Sequence, residues 1–106
     1  MKITLLNTSI LTDYGTYDFQ PISLSEAKKM VKDSEIVSAV GHTATAGILS
    51  DLLEIEVRVN RTEFIQSTDD TALIFKLKSR IEEGKVLNRS EIEEIGYEFG
   101  ILRKVK

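Results

Sequence analysis

The chain predicts a single α/β domain spanning residues 1–106, with a mixed sheet of about five strands flanked by helices. Three observations point there. Apolar runs of strand length alternate with amphipathic stretches of helical period, the pattern of strands interleaved with helices. Two helix starts carry the capping-box spacing, at Ser23-Leu24-Ser25-Glu26 and at Asn88-Arg89-Ser90-Glu91. The length of 106 residues, with 42% hydrophobic and 29% charged side chains, suits one ordinary globular domain. No internal repeat, linker or charge block divides it.

Taken in order, residues 2–6 (KITLL) form a short apolar run read as a buried strand, ended by Asn7-Thr8-Ser9. Thr12-Asp13-Tyr14-Gly15-Thr16 is turn chemistry. Residues 16–22 fit an edge strand, because Pro21 cannot donate to a ladder. The Ser23 capping box opens a helix to about Lys32, with Leu24, Ala27 and Val31 on one face and Met30 beside them. Residues 35–40 read as a strand, followed at once by Gly41-His42 and a helix over about 43–53 with the stripe Ile48, Leu49, Leu52 and Leu53. Residues 55–59 alternate as a strand would, and Ser67-Thr68-Asp69-Asp70 is a turn.

Residues 71–77 (TALIFKL) carry the strongest strand signal. Lys78–Lys85 is polar and reads as a loop or frayed helix. Asn88 and Glu91 box the last helix, and Leu87 can staple onto Ile92. That helix is expected to run to Phe99, with Gly100 at the left-handed C′ position. Residues 101–105 then form a closing edge strand guarded by Arg103, Lys104 and Lys106.

Composition narrows the chemistry. With no Cys there is no disulfide framework, thiolate metal site or cysteine nucleophile, and a single His excludes a site built on two imidazoles. The net charge of −3 argues against general DNA binding, although a local basic pocket remains compatible with it. No apolar run approaches the ~20 residues of a membrane span. Met1-Lys2-Ile3-Thr4 begins no secretory h-region, so the expected address is the cytoplasm. No cofactor and no metal are expected.

His42 is the most informative position. It stands where a strand hands over to a helix, and α/β sheets bind ligands in the crevice beyond the carboxyl ends of their strands. The following helix would aim free N–H groups and its positive end at that crevice, an arrangement suited to an anion. Gly41 allows close backbone approach, Thr43 and Thr45 add hydroxyls, and the imidazole could act as a general acid. The competing reading is a surface-loop histidine without a task. Asn7 and Ser9 would line the same crevice if the first and third strands are neighbours; otherwise they cap a turn. Arg80 can grip a phosphate bidentately with Glu83 orienting it or accepting a proton, against a surface ion pair at i,i+3. Arg61 is a second candidate phosphate ligand, against a solvated turn arginine. Lys76, Lys78 and Lys85 add local positive charge.

These residues, in this order, resemble the small ring nucleases of archaeal viruses and mobile elements, the type III anti-CRISPR ring nucleases, which include YddF-like bacterial members. The carriers are Asn7, Gly41-His42 with Thr43 and Thr45, Val59-Asn60-Arg61, Phe75-Lys76-Leu77 leading to Arg80, Glu83-Gly84-Lys85, and Leu87 to Tyr97. The resemblance implies a homodimer that binds cyclic tetra-adenylate and cleaves it without metal. The substrate's own 2′-hydroxyl would attack, His42 would protonate the leaving 5′-oxygen, and linear di-adenylates ending in a 2′,3′-cyclic phosphate would result. Arg80 would hold phosphate beside Glu83, Arg61, Asn7 and Ser9 would contact ligand, and residues 80–91 would close over it. A four-nucleotide ring has the two-fold symmetry that an isologous dimer pocket demands. The sequence also admits a non-catalytic cyclic-oligonucleotide-binding module, and a small DNA-binding or interaction protein.

Overall fold

A computed structural model describes residues 2–7, 11–60, 62, 64–68, 70–78 and 88–106. Among them, five strands and three helices follow in the order β1 (Lys2–Leu6), β2 (Tyr17–Ile22), α1 (Leu24–Lys32), β3 (Glu35–Ser38), α2 (Thr43–Leu53), β4 (Thr71–Leu77), α3 (Arg89–Ile95) and β5 (Tyr97–Lys104). The sheet order is β2-β5-β4-β1-β3. β1 pairs in parallel with β3 and β4, whereas β5 runs antiparallel to β4 and β2, so the sheet is mixed.

The interior strands are those with continuous apolar runs. β1 and β4 are buried along nearly their whole length, as strands covered on both faces must be. β2 and β3 lie at the two edges and carry more polar residues. Pro21 sits on β2, where its missing N–H costs an edge strand little.

One sheet face carries the main core. Ile3, Leu5, Leu73, Phe75, Phe99 and Ile101 pack against Ala27 and Val31 of α1, Leu49, Leu52 and Leu53 of α2, and Ile92 of α3. Phe75, Tyr97 and Phe99 form an aromatic cluster, with Phe75 and Phe99 centroids 5.3 Å apart. Among the described residues, no helix residue joins the second cluster on the opposite face, where Tyr17, Ala39 and Phe64 pack against Leu6, Ala72, Ile74 and Leu102. Gln66 seals that side: its Nε2 donates to the carbonyls of Asp70 and Leu102, and its backbone N–H donates to Thr12 Oγ1.

The expected first half holds closely. The Ser23 box forms in full, Ser23 Oγ accepting from the Glu26 N–H and Glu26 Oε1 from the Ser23 N–H. The turn at 67–70 closes through the Asp70 N–H and Ser67 carbonyl. Three expectations are corrected. Residues 55–59 are not a strand, because their polar groups bond elsewhere: the Val57 N–H donates to Ser50 Oγ on α2, and the Asn60 N–H to the Val40 carbonyl. The strand expected at 35–40 ends at Ser38.

The third correction concerns the carboxyl end. The Asn88 box forms as expected, but the helix stops at Ile95 rather than Phe99. Gly96, at φ 87°, ends it and donates its N–H to the Ile92 carbonyl. Phe99 and Gly100 therefore belong to β5, which begins at Tyr97 and lies inside the sheet between β2 and β4 instead of closing an edge. Gly100 is needed for close approach, not for a left-handed cap: a Cβ there would stand 2.5 Å from Cε1 of Phe19. The Leu87 staple lies outside the described residues.

Candidate functional site

The parallel pairing of β1, β3 and β4 sets their carboxyl ends along one edge of the sheet. Leu5 stands opposite Ser38, and the Ala39 N–H donates to the Leu5 carbonyl at 2.9 Å. Asn7 leaves β1 at this edge, half-buried, and Gly41 and His42 follow from the neighbouring strand. The first and third strands are thus neighbours, the condition under which Asn7 joins the crevice.

His42 is the N-cap residue of α2, with extended backbone dihedrals and an exposed side chain. Its carbonyl accepts the first helical bond, from the Ala46 N–H at 3.0 Å, but its imidazole makes no capping bond. The first turn holds no acidic residue. The amino end of α2 therefore presents its positive partial charge without a cap from the His42 side chain and without a carboxylate in its own first turn. Thr43, exposed, and Thr45, half-buried, lie in this first turn. An anionic ligand here would meet backbone N–H groups, two hydroxyls and one imidazole.

The turn that carries His42 is braced from behind. Ser38 Oγ donates to the Arg58 carbonyl and accepts from the Val40 N–H. Asn60 Nδ2 donates to the Ser38 carbonyl at 2.8 Å, and the Asn60 N–H to the Val40 carbonyl at 2.8 Å. Ser50 fixes the same strap to α2 through Val57. Ser38 and Ser50 are bracing residues that sequence reasoning missed, and Asn60, though a carrier of the resemblance, had no bracing role assigned to it. A small polar residue inside an apolar strand and a Ser within an apolar helix stripe were the available signals.

The structure thus brings together Asn7, Gly41, His42, Thr43 and Thr45. Ser9, Arg61, Arg80 and Glu83 lie outside the described residues. Among the described residues, no group of three His, Cys, Asp or Glu side chains could hold a metal ion, and no helix is long and apolar enough to cross a membrane.

Comparison with known proteins places the chain. A family model described as STIV B116-like matches residues 3–99. The uncharacterized protein ORF117 of Acidianus two-tailed virus is 38% identical over 108 residues, covering 96% of this chain and 92% of that one. The uncharacterized protein YddF of Bacillus subtilis (strain 168) is 33% identical over 107 residues, covering 99% of each. The structure of B116 of Sulfolobus turreted icosahedral virus superposes with a TM-score of 0.83 over 97% of this chain and 99% of that one, at 23% identity, a likeness of fold. With its sequence matched from the first strand into the last, the chain belongs to the STIV B116-like family.

Proposed function

We propose that this protein is a metal-independent ring nuclease that binds cyclic tetra-adenylate and cleaves it to linear di-adenylates ending in a 2′,3′-cyclic phosphate, countering type III CRISPR signalling. The observation that carries the reading is the open amino end of α2, with an exposed imidazole at its N-cap on the carboxyl edge of parallel strands. A phosphodiester seated on those N–H groups brings its leaving oxygen beside His42. The ribose 2′-hydroxyl attacks phosphorus and its proton passes to solvent. The P–O5′ bond breaks, and the His42 imidazolium protonates the departing oxygen.

The remaining roles follow the family resemblance. Arg80 and Arg61 are its phosphate ligands, Glu83 is its second catalytic residue, and Asn7, Ser9, Gly41, Thr43 and Thr45 are its further ligand contacts. A two-fold homodimer presents two His42 side chains to one ring, matching the ring's own symmetry. The second reading is a module that sequesters a cyclic oligonucleotide without cleaving it, which the same N–H groups would support without need of an acid.

Incubation of the protein with cyclic tetra-adenylate, with products resolved by mass, tests the proposal. The expected product is a di-adenylate with a cyclic phosphate end, and His42→Ala should retain ring binding while losing cleavage. Binding without cleavage by the unaltered protein establishes the sequestration reading instead, and equal cleavage by both proteins removes His42 from the chemistry.

A further inference from the structure

Gln66 joins three distant parts of the chain, and it is only 1% exposed. Its backbone N–H donates to Thr12 Oγ1 at 2.7 Å, across 54 residues of chain. Its Nε2 donates to the Asp70 carbonyl at 2.9 Å and to the Leu102 carbonyl at 2.8 Å. Asp70 immediately precedes β4, and Leu102 belongs to β5, a strand with neighbours on both sides. The turn at 67–70 is closed by its own bonds, the Asp70 N–H to the Ser67 carbonyl and the Ser67 N–H to Asp70 Oδ2. Gln66 is thereby fixed to the middle of the sheet, and Thr12 is fixed to Gln66.

The side chain carries a cost. Among the described residues its Oε1 is buried with no hydrogen-bond partner, and a buried unpaired acceptor is destabilising. A methionine of similar length would fill the volume without that cost. What the glutamine adds is direction: two N–H donors aimed at two carbonyls fix the register of the chain at this point, which apolar packing alone specifies less closely.

Two segments end at this junction, and both begin at the His42 edge. Residues 7–12 run from Asn7, where the chain leaves β1, to Thr12. Residues 60–66 run from Asn60, bonded to Ser38 and Val40 behind the His42 turn, to Gln66. By sequence alone, Ser9 falls in the first segment and Arg61 in the second. A segment tied at both ends has fewer conformations to lose on closing around a ligand than one tied at a single end. We propose that Gln66 is a positioning residue for the ring site: with Thr12 it fixes the far ends of both segments at one buried point, so that affinity for the ring depends on a residue too buried to touch it. The inference rests on ring binding at the His42 edge. The His42 turn is braced separately by Ser38 and Asn60, so the junction acts on binding more than on the chemical step.

The test compares Thr12→Val, which removes the hydroxyl acceptor, with Thr12→Ser, which keeps it. Thr12→Val should weaken calorimetric binding of cyclic tetra-adenylate to the full chain about tenfold, the worth of one hydrogen bond, with less than about a twofold change in the single-turnover rate at saturating ring. Thr12→Ser should match the unaltered protein in both. Gln66→Met, where circular dichroism shows it folded, should weaken binding in the same sense. A role in stability alone predicts a lower urea midpoint for Thr12→Val with ring affinity unchanged, and that result overturns the proposal. So does a loss of affinity that Thr12→Ser shares. The junction is also read without ligand, by hydrogen exchange. Thr12→Val should speed amide exchange in both 11–14 and 64–66, and a rise confined to one of them overturns the proposal. If both rise and the unaltered protein binds no ring, the ring-nuclease reading fails while the junction's hold on the two segments stands.

Discussion

The amino ends of α1 and α2 both leave the carboxyl edge of the sheet, but they differ in what fills them. At α1, Ser23 and Glu26 satisfy two backbone N–H groups reciprocally, and the Glu26 carboxylate meets the positive end of the helix. At α2, the N-cap position holds a histidine with no capping bond, and the first turn contains no acid. α1 closes its terminus internally, while α2 begins without a side-chain cap or an acid in its first turn. Its stability must then come from elsewhere: Ala46, Ile48, Leu49, Leu52 and Leu53 are all buried. A helix anchored by so much apolar surface tolerates an open end worth only ~1 kcal/mol.

The largest effect that can break this contrast is at His42. His42→Ala should lower single-turnover cleavage of cyclic tetra-adenylate by about 10²–10⁴-fold, the usual contribution of a positioned general acid, and barely change the denaturation midpoint. Next comes the brace behind the turn. Asn60→Ala removes the bond to the Ser38 carbonyl, and cleavage should fall by roughly tenfold or more through misplacement of the turn, while stability measured by urea falls by only ~1 kcal/mol.

The converse holds at α1. Ser23→Ala should cost ~1 kcal/mol in urea denaturation and leave cleavage at its original rate. A sharper version installs a cap at the open end: His42→Asn should raise stability by about 0.5–1 kcal/mol while abolishing cleavage. If it stabilises nothing, the α2 terminus is already satisfied and the contrast fails. The smallest expected effect is that of a chelator: excess EDTA should leave the cleavage rate unchanged. Loss of turnover restored by Mg²⁺ would replace the acid mechanism with a metal-assisted one.

Much of the fold was legible because its signals are local. The capping boxes at Ser23 and Asn88 depend on groups three residues apart, and both form. The continuous apolar runs of β1 and β4 marked strands covered on both faces. The misreadings arose where local pattern and long-range pairing competed. Ile55, Val57 and Val59 alternate like a strand, but Ser50 of α2 and the Val40 carbonyl claim the backbone donors there. Phe99 fits the period of the last helix as well as the inward face of β5, and the positive φ of Gly96 decides between them. At the site, His42 and its threonines were visible as a strand-to-helix junction. Asn60 stood out there only as a carrier of the resemblance; its bond to Ser38, across 22 residues of chain, was not visible.

The sequence by itself determined the class, the positions of the helix starts, the absence of thiol chemistry and the single imidazole available to any reaction, because these follow from residue identity and short-range spacing. Tertiary structure alone decided that β5 sits inside the sheet, that β1 and β3 are neighbours so that Asn7 and His42 share an edge, and that the strap at 57–60 braces the His42 turn. Pairing of strands far apart in the chain is selected by the burial of whole faces and the satisfaction of every backbone donor at once, and no short window of residues contains that information.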